Sequence, residues 1–234
     1  MTTKNVTVRK AAAPKAVAPK TAGAPVVRGS HADRTAAMRK RLIDAAIESL
    51  GALGYGATTL QVVTDRAKVS RGAVLHHFPT KVDLMIAVAE YAAGKQNRHV
   101  ARQLADTKPG LERYDALTMA TWDAMTRAPA IALLEIMMGS RSDPELSARF
   151  PMVNDALERH QREGVWEQAQ SAGITDKAAV ESMVHLHNAA MRGLALELMY
   201  SGNRKRADDA MKLLHQYKIW LTTELVAGKP VGRK

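Results

Sequence analysis

From Arg34 onward, apolar positions recur every three to four residues, and Ala37, Met38, Leu42, Ile43, Ala46, Ile47 and Leu50 fall on one broad face. That is the period of an amphipathic helix, and the glycines between Gly51 and Gly56 are expected to end it. Thr59 is a suitable N-cap for a short second helix from Leu60 to Ala67, because its hydroxyl can satisfy an orphan amide two or three residues on. Lys68 and Val69 make a turn, Ser70 caps a third short helix from Arg71 to about His77, and Pro79-Thr80 separates that helix from a long one beginning at Lys81. Further helical segments are predicted over roughly 81–105, 110–127, 130–139, 144–171 with a break at Pro151, 176–201 and 204–226. No run alternates in the manner of a strand. The pattern predicts an all-α protein of about nine helices, with a three-helix helix-turn-helix domain at the N-terminus and a helical bundle after it.

Ahead of the first helix, residues 1–32 combine Ala, Pro and Lys without any hydrophobic period. Such a segment buries too little surface to offset its ordering entropy, so it is expected to be a disordered tail. Four segments follow from this reading: the tail 1–32, a helix-turn-helix domain 33–81, a regulatory and dimerisation domain 82–227, and a short basic tail 228–234. The formal charge of +11 divides among them as +6, +4, −2 and +3. Positive charge is thus concentrated at the ends and in the first domain, as expected if the N-terminal part meets a polyanion. The long tail is either an inert solubilising extension or a cationic arm that adds sequence-independent attraction to phosphates.

Within the helix-turn-helix, Val63 and Ala67, Val69 in the turn, and Val74 and Phe78 have the spacing needed to hold two short helices together. Arg71, Ala73, His76 and His77 are left to face a DNA groove, and Gly72 leaves room for close backbone approach. Arg71 is the first candidate for a base contact, since its planar fork matches guanine O6 and N7, and His76 is the second. Adjacent histidines on a helix point about 100° apart, so His76-His77 does not make a metal site, and His185-x-His187 places its rings nearly opposite.

The stretch ATTLQVVTDRAKVSRGAVLHHFPTKVDLMIAV, Ala57 to Val88, resembles the N-terminal signature of TetR-like regulators, and Ala45-Ala46 with Gly54-Tyr55 fit the segment that precedes it. The resemblance covers about residues 34–90. It implies phosphate contacts at Thr59 and Lys81, where helix starts also present free amides to anions, and a DNA-facing surface that includes Lys68 and Ser70. Two positions depart from the family pattern: Lys68 stands where glycine is usual, and Leu75 where a phosphate-contacting tyrosine is common. A left-handed backbone at Lys68 costs on the order of 1 kcal/mol.

The resemblance also implies an effector pocket and a two-helix dimer surface in the C-terminal helices. For a small hydrophobic effector the candidate lining is Met119, Trp122, Met125, Met137 and Met138, with Trp166, Met183, His187 and Met191 from later helices; any of these also suits ordinary core. For a homodimer interface the candidates are Ala179, Leu186, Ala190, Leu194 and Leu198, followed by Leu213, Leu214, Tyr217, Trp220 and Leu221. Their three- and four-residue spacing suits a symmetric four-helix contact, or packing inside one protomer.

The expected function is a homodimeric repressor of transcription that leaves a palindromic double-stranded DNA operator when a small hydrophobic ligand binds. The alternative is an architectural protein that coats DNA through its basic tail. An enzyme is not expected, because the chain has no Gly-rich phosphate loop, GxSxG turn, HExxH or cysteine. No cofactor, metal or membrane partner is expected, and the absence of an apolar signal segment points to the cytoplasm.

Overall fold

The computed structural model describes residues 31–229. Both basic tails lie outside these residues, except for His31, Ala32, Gly228 and Lys229. Among the described residues there are nine helices and no strand, and no helix is long and apolar enough to cross a membrane.

Helix α1 (His31–Ala57) starts three residues before the predicted position and continues past Gly51. Leu50 is fully buried, and its burial outweighs the roughly 1 kcal/mol that a helical glycine costs. The break comes at Gly54, within the expected Gly51–Gly56 stretch, where φ of 76° and ψ of 173° are angles only glycine adopts without strain. Helices α2 (Leu60–Ala67) and α3 (Arg71–His77) follow with the predicted bounds and caps: Thr59 Oγ1 accepts from Val62 N at 3.2 Å and Ser70 Oγ from Ala73 N at 3.2 Å. Between them Lys68 has φ 52° and ψ 52°, the left-handed conformation that its glycine-like position demands.

Helix α4 (Lys81–Gln103) opens with a capping box, Thr80 and Asp83 exchanging side-chain and backbone hydrogen bonds. Then come α5 (Leu111–Met125), α6 (Ala128–Gly139), α7 (Pro144–Ser171), α8 (Lys177–Ser201) and α9 (Arg204–Val226). The predicted break at Pro151 does not occur. Pro151 gives no N–H to the Ser147 carbonyl, but it sits on the exposed side while Leu146 and Phe150 are buried, so water can serve that carbonyl and packing holds the helix.

The first of three cores gathers Leu42, Ala46 and Leu50 of α1, Val63 and Val74 of α2 and α3, and Leu84, Met85 and Val88 of α4. Ala132 and Ile136 of α6 and Leu146 and Phe150 of α7 complete it, so the core does not stop at residue 81. A second core surrounds Trp122, Met191 and Met211, and a third surrounds Tyr114, Ile174 and Val184.

Tyr55 joins the first three helices to α6 and α7. Freed by the turn at Gly54, its N–H donates to Glu135 Oε2 at 3.0 Å, and its hydroxyl donates to Asp143 Oδ2 at 2.6 Å. Its ring lies so close to Gly139 that a Cβ there would fall 2.2 Å from Cγ. Lys81 completes the joint: its ammonium donates to the Tyr55 carbonyl at 2.7 Å and stands 3.8 Å from the ring centroid. Gly139→Ala is therefore expected to destabilise the protein by about 1–3 kcal/mol in urea unfolding, since a ring held at its backbone and its hydroxyl cannot give way. Gly51→Ala, with nothing within 4 Å, should stabilise it by about 0.5–1 kcal/mol. Equal effects of the two would show that the ring is not clamped.

Candidate nucleic-acid interface and ligand cavity

Helices α2 and α3 are fastened by Val63, Ala67, Val74 and Phe78, all at most 3% exposed, with Val69 half-buried beneath the turn. With that side committed to the core, α3 presents Arg71, Gly72, Leu75 and His76 to solvent, while Ala73 and His77 are half-buried. Nothing lies within 4 Å of a Cβ built on Gly72, so its surface is open to a ligand's close approach. Thr59, Lys68 and Ser70 are exposed at the ends of α2 and the start of α3. Burial holds the His77 imidazole below its usual value, with help from the charges of His76 and Arg39.

Two cations of α1 that the sequence reading did not select lie beside this surface. The Arg39 guanidinium stands 4.6 Å from the Phe78 ring centroid, and Arg41 donates to the Lys68 carbonyl at 3.4 Å. The signal was the basic run Arg39-Lys40-Arg41 on the exposed side of α1, three residues before its buried stripe begins at Leu42.

Lys81 is placed differently from its expected free phosphate-gripping position. Its ammonium is taken up by the Tyr55 carbonyl and ring, and burial lowers its pKa while Asp143 works in the opposite direction. The α4 capping box is further tied to α7, where Arg149 donates to Asp83 Oδ1 at 2.8 Å and to Glu145 Oε1 at 3.1 Å. The Arg149 hydrogen bond holds the Asp83 carboxyl below the usual carboxylate range.

A cavity of about 660 Å³ opens among α4, α5, α6, α7 and α8. Val100, Leu104, Leu117, Leu133, Leu134 and Val165 supply apolar wall. The polar wall includes Gln161 and Asn188, which exchange amide hydrogen bonds at 3.1 and 3.3 Å, and Arg192, which donates to Glu158 Oε1 at 2.6 Å. Of the nine residues expected here, Met125 and Met137 line the cavity. Met183, His187 and Met191 line a small adjoining space of about 40 Å³. The other four belong elsewhere. Trp122 is core, its indole N–H donating to Asp208 at 2.8 Å, and Met119 packs against it. Trp166 packs on the third core and Met138 is on the surface, 40% exposed. Large apolar residues line pockets often, but the same property draws them into cores.

The last two helices divide their apolar residues between the interior and the surface. Leu186, Leu213, Tyr217 and Trp220 are 53–61% exposed. Ala179, Leu194, Leu214 and Leu221 instead pack against the protomer's own second and third cores, and Ala190 and Leu198 are half-buried. Among the described residues no group of three His, Asp or Glu side chains is arranged to hold a metal.

Residues 42–88 match the family model described as bacterial regulatory proteins, tetR family. An uncharacterized HTH-type transcriptional regulator of Mycobacterium tuberculosis is 30% identical over 113 residues, a match that spans 48% of this chain and 58% of that protein. The HTH-type transcriptional regulator CymR of Pseudomonas putida is 25% identical over 181 residues, covering 76% of this chain and 88% of CymR. In fold, the crystal structure of a transcriptional regulator from Rhodococcus sp. Rha1 superposes with a TM-score of 0.62 at 18% identity, covering 76% of this chain and 94% of that one. The motif and these likenesses agree: residues 42–88 are similar to the tetR family of bacterial regulatory proteins, and the nine helices of the described residues share the fold of the solved regulator.

Proposed function

We propose that this protein is a DNA-binding transcription regulator, a homodimeric repressor that leaves a palindromic operator when a small hydrophobic effector fills the cavity. The supporting observation is the double membership of α4. Its first turns, with Val82, Leu84, Met85 and Val88, lie in the core beneath the helix-turn-helix, and its last turns, with Gly94, Asn97, Val100 and Leu104, line the cavity. One helix of about 35 Å thus reaches from effector to reader. A ligand that tilts α4 shifts the helix-turn-helix with it, and differential affinity for the two positions is all that release requires.

In this reading α3 enters the major groove. Arg71 pairs with a guanine edge, His76 makes a second base contact, and the exposed Leu75 offers apolar contact to a thymine methyl in place of a phosphate bond. Lys68, Thr59, Ser70 and the α1 cations set the register on phosphates. Two such readers need matched half-sites, and the exposed Leu213, Tyr217 and Trp220, about one helical turn apart on α9, with the exposed Leu186 of α8, supply the face on which two protomers would meet.

Binding to a palindromic operator is expected to exceed binding to random duplex by at least a thousandfold at matched salt; a ratio near one would establish a sequence-independent coat protein instead. Arg71→Ala should cost about 1–3 kcal/mol on the operator in fluorescence anisotropy and relax the preference at one base pair, and an unchanged affinity would show that α3 does not dock by its N-terminal turn. Lys68→Gly relieves the left-handed backbone, so the protein should gain about 1 kcal/mol of stability while the slope of log affinity against log salt flattens by about 0.9. Trp220→Asp should convert the species seen in light scattering from dimer to monomer; a dimer that persists would place the interface elsewhere.

A further inference from the structure

Beyond the large cavity, between α5, α8 and α9, lies a cluster of buried polar groups that the reader and the joint do not use. Lys218 of α9 is 3% exposed. Its ammonium donates to the Tyr114 carbonyl and stands 4.2 Å from the Tyr114 ring centroid. His187 of α8 is 9% exposed; its Nδ1–H donates to the Met183 carbonyl at 2.9 Å, which leaves Nε2 as an acceptor. That Nε2, together with Thr222 Oγ1 and Asp115 Oδ1, has no hydrogen-bond partner among the described residues. Lys218 and His187 both line the 40 Å³ space, more than one water requires. Its walls at Leu117, Thr121, Gln161, Val165 and Asn188 are also walls of the 660 Å³ cavity.

Buried polar atoms with unfilled valence are costly, and a buried cation more so. The charged and titratable groups facing Lys218 are Asp115 of α5, His187 of α8 and His215 of α9, whose Nε2–H donates to the Asp115 carbonyl at 3.1 Å. Asp115 favours the ammonium through space, but burial outweighs it and holds the amine down to about 8. The imidazole of His187 is likewise held below its usual value, by burial first and then, against its Met183 hydrogen bond, by Lys218 and His215. Asp115 thus acts on Lys218 only through space and forms no ion pair with it, the ammonium's one acceptor among the described residues being the Tyr114 carbonyl, and the cluster combines an ammonium donor with an imidazole acceptor.

We infer that the effector is an amphipathic carboxylic acid whose carboxyl group enters the small space to pair with the Lys218 ammonium and share a proton with His187 Nε2, while its apolar body occupies the large cavity. This rests on the reading of that cavity as the effector site. One carboxyl oxygen accepts from Lys218. The other either keeps its proton and donates it to His187 or accepts from a protonated imidazole, the same proton count either way. An alcohol would satisfy His187 and leave the cation uncompensated.

The test uses the full chain, with octanoate and 1-octanol as probes, by titration calorimetry from pH 6.5 to 9.5. Octanoate is expected to bind at least tenfold more tightly than octanol at pH 7. Because binding takes up the proton shared with His187, its affinity should fall by about tenfold per unit as pH rises towards the Lys218 value and more steeply above it, while octanol shows no such fall. Lys218→Met should bring the two affinities within about threefold of each other. Should that variant not fold, the wild-type pH profiles decide the question without it. Octanol bound as tightly as octanoate with flat profiles for both, or an octanoate preference that survives Lys218→Met, would overturn the carboxyl site and leave the cavity reading standing. Binding of neither probe would overturn both.

Discussion

One aromatic ring resting on a glycine governs how this molecule is put together. Tyr55 is the last buried side chain of α1, and it reaches its place only because Gly54 turns the backbone away from the helix. Once there, its amide, carbonyl, ring and hydroxyl are bound to Glu135, Lys81, Gly139 and Asp143 respectively. The hydroxyl bond keeps the Asp143 carboxyl below the usual carboxylate range, and burial with that same neighbour pushes the phenol up. Asp143 also caps α7 through the Leu146 amide at 3.1 Å, so one carboxylate fixes both the joint and the start of the next helix. Because the acid's folded pKa is depressed, its contribution is present above about pH 4 and is lost as the medium becomes more acid.

Around that joint the surface and the interior divide the charge differently. The exposed cations of α1 and of the turn at Lys68 remain available to a polyanion, whereas Lys81 and Lys218 are drawn into carbonyl and aromatic surroundings where burial disfavours their charge. A count of basic residues treats them all alike. Their chemistry differs because the first kind keeps its water and the second has lost it.

What was legible in the sequence was local. The caps at Thr59 and Ser70, the bounds of α2 and α3 and the strained Lys68 depend on residues within four positions of one another, and a single chain segment carries that information. Where a distant partner decides, the reading went astray. Pro151 stays in α7 because Leu146 and Phe150, in the turns just before it, are held in the first core. Lys81 turns to Tyr55, 26 positions away, rather than outward. The cavity was misread for the same reason: Trp122 and Trp166 have the composition of pocket walls, and only the packing of α5 on α9 and of α7 on α8 consigns them to cores.

The continuity of the first core has a consequence for how such a protein can be recombined. Leu84, Met85 and Val88 fill the space under the reader together with Ile136, Leu146 and Phe150, so a cut after residue 81 would not release a finished module but one with an open floor. A chimaera that lends this reader to another sensor must carry the first half of α4, the end of α6 and the opening turns of α7 along with it, or supply side chains of the same shape. The exchangeable unit is defined by a shared interior and not by a stretch of chain.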